Sequence, residues 1–476
     1  MRFFRAALDG EGEQAHIDQI VGLCNGLPLA LTIMAARSQV SPIEELASSA
    51  RNTRNRLAEI ADGERSIRSA FEISYLALPE HLRRILGMLG LHPGGDWTAH
   101  HVAALADLDL ATARRYLERL VNARLIERNS SQRFEIHDLI GDFARLKADS
   151  DLSAAARDAA RSRLIAWSLD MVARADEAIT PGRYRPPIEP TGHSVPFTDE
   201  ASASAWLAAE QKNLVAACQL AFDTGADSAC WRLAAMLRGH FFLTKQWDDW
   251  LATHTWALAA AERARDRDGE AMTRNNLGLA LMEIGRLDEA DEHFLIVLNR
   301  LADAGDGFAR ANALANHAAI AYCRGEYERS LRLNQEALTL YVERRHARNQ
   351  AITLRSIGLV ELELGRHEQA VTHLTMALQM FSVPHRPISL DGAMAVNCLG
   401  EAWLRAGTWR RPSPGSHAGS RTAATAAAAT RRRGRYVDSA RWRSPRADQR
   451  TRESAGVPRS AISADSAPPR PRRSPA

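Results

Sequence analysis

Two short constellations carry residue types that could handle an anionic ligand. The first is Gly26-Leu27-Pro28, a tight turn entering the apolar run that ends at Ala36. The second is His137-Asp138, which follows the alternating Phe134-Glu135-Ile136. An imidazole can donate to a phosphate oxygen, and its pKa near neutrality lets it respond to nearby charge. Each constellation also has a plain structural reading. Pro28 suits the first position of a helix, where its missing N–H costs nothing, and His137-Asp138 suits a helix cap.

The lysines narrow the chemistry. A phosphate loop of the form Gly-x4-Gly-Lys-Ser/Thr needs its lysine at the β- and γ-phosphates and its hydroxyl on magnesium. The chain has three lysines, Lys147, Lys212 and Lys245; none follows a glycine and none precedes serine or threonine. No apolar strand ending in paired acids is present, and no Gly-x-Ser-x-Gly element that could make a nucleophile elbow. His100 and His101 are adjacent, so they point to different faces of a helix and make poor paired metal ligands. The five cysteines (Cys24, Cys218, Cys230, Cys323, Cys398) are scattered without a Cys-x-x-Cys pair, which predicts reduced core thiols and no zinc site. No catalytic residue and no metal site are expected.

A third set of polar residues suits recognition. Asn275, Asn276, Asn316, Arg355 and Asn397 fall nine or ten residues before the glycines at 285, 325, 365 and 407. These glycines step by 40, 40 and 42 residues and divide the chain into helix–turn–helix units. A small residue lies seven before each turn (Gly278, Ala318, Gly358, Gly400) and another five after it (Ala290, Ser330, Ala370), where two helices can cross closely. Larger residues such as Leu281, Phe294, Val297, Leu374 and Leu378 fill the spaces between. A fainter unit one step earlier places Lys245 at the turn. Stacked hairpins of this kind bury a continuous core and leave a groove. The polar set is expected to line that groove and clamp a peptide backbone.

The remaining elements frame these residues. The chain is rich in alanine, leucine and arginine, which favours helix. Residues 61–150 give amphipathic helices followed by a small hairpin, from Leu125 to Arg128 and from Arg133 to Ile136, the order of a winged-helix unit. A proline-rich break runs from Pro181 to Pro196, and the helix opening near Trp206 should cap the array. The start lacks the apolar core of a signal peptide, and the longest apolar run, Leu27 to Ala36, is too short to span a membrane. From Arg410 onward there are sixteen arginines, no lysine and four acids. That tail holds +12 of a net +4, leaving −8 on residues 1–409. It contains no leucine or phenylalanine and should be disordered. Because the fourth unit loses its second helix after Trp409, a shifted reading frame is one explanation of the tail and a genuine basic segment is the other.

The segment GLCNGLPLALTIMAA from Gly22 resembles the GLPL motif of NB-ARC proteins, the STAND-type signal-transduction ATPases with a nucleotide-binding, helical and winged-helix core. FEIHDLIGDFAR, from Phe134 to Arg145, resembles the MHD motif that closes the winged helix of that family, with Ile136 in its first place. The ordered pair followed by repeats is similar to bacterial regulators that join this core to tetratricopeptide repeats. The resemblance implies that Pro28 would pack on the adenine of ADP, with Gly26 and Leu27 shaping the turn. It implies also that His137, beside Asp138, would approach the β-phosphate. The missing phosphate loop makes the chain look like an N-terminally truncated member.

These observations predict an all-α protein with a minor β wing. Its expected parts are a partial NB-ARC helical subdomain (1–60), a winged-helix-like domain (61–150) and a helical linker or cap (151–230). Tetratricopeptide repeats (231–409) and a disordered tail (410–476) follow. The function expected is a cytoplasmic regulatory module that binds a protein or peptide partner in the repeat groove, with no nucleotide cofactor held by this chain alone. ADP or ATP would belong to a full-length relative. Two rivals stay open: a switch ATPase whose phosphate-binding half is missing, and a DNA-binding regulator. For the second, Arg114, Arg115, Arg119 and Arg124 lie among acids and are read as a solvated face, so no DNA contact is expected.

Overall fold

The computed structural model describes residues 14–23, 28–38, 42–48, 71–131, 133–300, 307–382 and 389–406. The expected tail at 410–476, and with it Gly407, lies outside the described residues. The fold is all-α with one small sheet, and the chain divides into two compact units at Ile284/Gly285. The division falls inside the stretch expected to hold the repeats.

The first unit begins with α1 (Gln14–Leu23), α2 (Pro28–Ser38) and α3 (43–48). Ile17, Ile20, Leu31, Met34 and Leu46 form their shared core, which also takes in Ile73 of α4 (71–76). Next come α5 (Glu80–Leu89), β1 (Asp96–Trp97), α6 (Ala99–Ala106), α7 (Leu110–Asn122), β2 (Glu127–Arg128), β3 (Phe134–Glu135) and α8 (Asp138–Asp151). α7 forms because Asp109 caps it, accepting from Thr112 N at 2.8 Å, while Ala113, Leu117 and Leu120 make a buried stripe at helical spacing. The predicted hairpin is present as β2–β3. The sheet also has a third strand, in the order β1-β3-β2, with both pairs antiparallel. Trp97 lies opposite Phe134, and both rings enter the core with Leu117, Leu120 and Phe143. Two-residue β1 escaped the sequence reading because it has no period of its own.

α9 (Ala154–Ile179) then runs into the proline-rich break, which the helix itself ties down. Asp170 Oδ2 accepts from Thr191 N at 2.7 Å, Trp167 Nε1 donates to His193 O at 3.1 Å, and Arg185 Nε donates to Asp176 Oδ2 at 2.6 Å. α10 (Glu200–Asp223), α11 (Asp227–Thr244), α12 (Trp247–Ala264) and α13 (Arg267–Glu283) complete the unit. Lys245 occupies the turn between α11 and α12 with φ +62°, the left-handed conformation that glycine takes in the later turns. Its ammonium lies 4.4 Å from the Phe242 ring and 5.0 Å from Trp247, contacts that offset the backbone cost of a side chain there.

The second unit holds α14 (Leu287–Arg300), α15 (Phe308–Cys323), α16 (Tyr327–Glu343), α17 (Ala347–Glu363), α18 (His367–Phe381) and α19 (Leu390–Arg405). Gly325 and Gly365 turn α15 into α16 and α17 into α18 with φ +78° and +76°, the left-handed region that closes a helix without steric cost to glycine. The small residues meet as predicted. Ser330 Oγ donates to Ala318 O at 2.8 Å, and a Cβ added at Gly358 would lie 2.6 Å from Leu374 Cγ. Neighbouring hairpins share cores: Tyr322 and Leu331 with Ile357 and Val360, then Leu362, Ala370 and Leu374 with Leu399 and Ala402.

Candidate partner-binding surface

In the second unit the first helices of successive hairpins, α15, α17 and α19, lie side by side. Asn349 Nδ2 of α17 donates to Asn312 Oδ1 of α15 at 3.2 Å, and Tyr341 of α16 donates its hydroxyl to the same oxygen at 2.5 Å. From α17 to α19, Arg348 meets Asp391 at 2.5 Å and Arg355 Nη1 approaches Met394 Sδ at 3.4 Å. Glu363 and Arg405 close the far end at 3.1 Å.

On this row Arg355 and Asn397 hold equivalent places, ten residues before the turn position, and Asn316 stands one residue nearer its turn. Asn316 and Arg355 are half-buried and Asn397 is exposed. The Arg355 Nε is buried without a hydrogen-bond partner. The guanidinium therefore keeps a donor in reserve beneath a contact as weak as that to a thioether. Asn276 lies half-buried on α13 of the first unit. Asn275 departs from the groove expectation: it is buried, and its amide donates to Ala271 O one turn back at 3.1 Å. A short amide so placed satisfies its own helix.

Beneath the row sits a charged cluster that sequence reasoning missed. Asp291 accepts from His317 Nδ1 at 2.5 Å and from Arg324 Nη1 at 2.7 Å, while Arg329 Nη2 donates to His317 Nε2 at 2.9 Å. An arginine can only donate, so Nε2 accepts and Nδ1 carries the proton. With both ring nitrogens engaged, His317 is a strut between helices. Beside it, an open cleft of about 410 Å³ runs along α14 from Asp288 to Arg300. The only sequence sign of the cluster was the 26-residue separation of two polar residues on apolar faces.

The residues singled out for a nucleotide are placed less completely. Gly26 and Leu27 lie outside the described residues, and Pro28 is the first residue of α2. His137 is the exposed N-cap of α8, its Nδ1 accepting from Leu139 N at 3.3 Å, and Asp138 is exposed in the first turn. Arg114, Arg115, Arg119 and Arg124 are all exposed, as expected of a solvated face. Among the described residues no group of His, Cys, Asp and Glu could hold a metal ion, and no helix is long and apolar enough to cross a membrane.

The tetratricopeptide repeat family matches residues 309–382, which hold α15 to α18. Regulatory protein AfsR of Streptomyces coelicolor is 27% identical over 406 residues, covering 83% of this chain and 40% of its own length. Regulatory protein AfsR of Streptomyces griseus is 28% identical over 371 residues, covering 76% of this chain and 38% of its own. The chain thus spans about two fifths of the length of these curated relatives. A solved STAND protein with a tetratricopeptide repeat sensor, from Pyrococcus horikoshii, aligns over 85% of this chain and 71% of its own. The identity is 14% and the TM-score 0.31. The chain thus joins a match to the tetratricopeptide repeat family with similarity to regulatory proteins.

Proposed function

We propose that this chain is a cytoplasmic regulatory interaction module that holds a protein or peptide partner against the first helices of its repeats, without catalysis of its own. The observation that carries this reading is the row formed by Asn316, Arg355 and Asn397. Three successive first helices present a polar side chain within one residue of the same level, Arg355 and Asn397 ten residues and Asn316 nine residues before the turn position, while Ile357, Leu362 and Leu399 of these helices are buried in cores shared between hairpins. Asparagine amides can both donate to and accept from an extended backbone, and Arg355 can meet a carboxylate or carbonyl. A rigid helical scaffold lowers the ordering cost of such contacts. The similarity to regulatory proteins supports the regulatory role.

The test is selection of peptides from a displayed library against the full chain, followed by calorimetry. Peptides that bind should lose affinity when Asn316 and Asn397 become alanine; unchanged binding in that double variant removes the groove from the account.

A second reading, the nucleotide switch, is favoured by one observation. His137 stands exposed at the N-terminus of α8, where the positive end of the helix dipole attracts anions. In that reading Pro28, His137 and Asp138 would contact ADP in a protein that also supplies a phosphate loop. Adding ADP to this chain should then give saturable calorimetric binding that His137→Ala weakens; absence of a signal at millimolar ADP disposes of nucleotide binding by the chain alone.

A further inference from the structure

The three second helices described in the second unit carry the same three-point pattern: a small residue, a larger one four later, and a small or branched residue three beyond. The points are Ala290, Phe294 and Val297 in α14, Ser330, Asn334 and Ala337 in α16, and Ala370, Leu374 and Ala377 in α18, and all nine are buried. In α17–α18 the middle residue enters a notch: Leu374 Cγ sits where a Cβ on Gly358 would otherwise stand, 2.6 Å away. α19 is a first helix with the same equipment. Gly400 stands in the place of Gly358, and among the described residues nothing comes within 4 Å of its Cβ position. Leu404 stands in the place of Tyr322 and Leu362. Those two are 9% and 3% exposed, each packed against its own second helix, whereas Leu404 is 65% exposed. The far side of α19 is anchored, with Leu399 and Ala402 buried against Leu362 and Leu374.

We propose that this face of α19 is a docking site for one amphipathic helix supplied by another polypeptide, carrying alanine or serine, then leucine four residues later, then alanine three beyond. The site continues the interface already built between α17 and α18, which specifies the visitor: a leucine for the Gly400 notch, flanked by small residues that let the backbones approach. The chain's own residues 407–476 do not contain this pattern. They have no leucine, phenylalanine or methionine, and none of Trp409, Tyr436, Val437, Trp442, Val457 and Ile462 has a small residue four positions before it. A second copy does not supply it cheaply either, because the matching helices of each copy bury the pattern within their own hairpins. This surface differs from the polar row of the proposed function and can fail or succeed separately from it.

The experiment uses the full chain and a fluorescein-labelled peptide with the sequence of α18, HEQAVTHLTMALQMF, read by fluorescence anisotropy. Saturable binding is expected. Replacing the peptide's leucine that corresponds to Leu374 with aspartate should abolish it. In the protein, Gly400→Leu should weaken binding by about tenfold or more, because its side chain fills the notch. That variant should keep the wild-type circular dichroism and melting curve, since Gly400 has open space around it. Three outcomes overturn the proposal. One is no saturable binding to the full chain, or binding that Gly400→Leu leaves unchanged. Another is binding that emerges only after deletion of residues 410–476, which would make that segment the occupant. The third is self-association in sedimentation that Gly400→Leu abolishes, which would make a second copy the occupant.

Discussion

The Arg133 guanidinium and the Glu210 carboxylate meet as a bidentate pair inside the first unit, with Nη1 to Oε1 at 2.5 Å and Nη2 to Oε2 at 3.0 Å. Glu210 is 1% exposed. It also faces His101 Nε2 at 3.2 Å and accepts from Asn213 Nδ2 at 2.7 Å, while Arg133 holds Asp96 of β1 at 2.8 Å. Burial alone would raise the carboxyl pKa, but the hydrogen bonds and charges of His101 and Arg133 hold it well below the usual carboxylate range. The small sheet is thereby fixed to α10.

Glu210→Ala should destabilise the first unit by about 3–5 kcal/mol, since it removes the buried acceptor shared by Arg133, His101 and Asn213 and leaves the guanidinium with Asp96 alone. Hydrogen exchange of the amides in α10 and β3 measures this directly. An effect below about 1 kcal/mol would mean that the pair is solvated and that the sheet is held by Trp97 and Phe134 instead.

Acid should weaken the same unit through its histidines. Burial pushes His92 and His254 down to about 3, with a smaller repulsion from His101 adding to the effect at His92 and Arg238 adding at His254. In the unfolded chain each imidazole takes a proton near pH 6.5. Between about pH 6.5 and 3 the unfolded state therefore binds protons that the folded state refuses, and stability falls as pH falls. Glu210 acts with the same sign at lower pH, because its depressed carboxyl stabilises the fold only while ionised. Urea unfolding followed from pH 7 to pH 4 should show the loss, and His254→Leu should reduce the slope by about one proton. A flat profile would contradict the neutral, buried state of these rings.

Two glycines in equivalent places should respond with opposite sign. Gly358→Ala forces a methyl against Leu374 and should cost about 1–3 kcal/mol. Gly400→Ala meets nothing among the described residues and should gain about 0.5–1 kcal/mol from helix propensity. Exchange rates of amides in α17 and α19 separate the two. Equal destabilisation would show that Gly400 is covered in the free protein.

Local rhythm was what the sequence displayed well. The 40-residue spacing located the turns, including Lys245 with its left-handed backbone, because each turn and each small-residue crossing is set by neighbours within a few residues. The β2–β3 hairpin was visible as an alternating pair around a turn. Distant pairings were not. Arg133 and Glu210 lie 77 residues apart and His317 and Asp291 26 apart, and nothing in either local pattern marks the partner. β1 is two residues long and exists only because β3 lies beside it. The candidate site was half legible. Arg355 and Asn397 share a register on first helices and Asn316 lies one residue further on, whereas Asn275, in the register of Arg355, turns inward and gives its amide to Ala271.

The polar row itself is tested by Arg355. Among the described residues its Nε is buried without a hydrogen-bond partner and its Nη1 approaches Met394 Sδ at 3.4 Å. The measurement that bears most directly on the whole account is calorimetric titration of library-selected peptides into the full chain and into its Arg355→Ala variant, with no nucleotide present. Saturable binding by the wild-type chain, weakened about tenfold or more in the variant, is the predicted result. Peptide binding that requires added nucleotide, or equal affinity for both proteins, would contradict it.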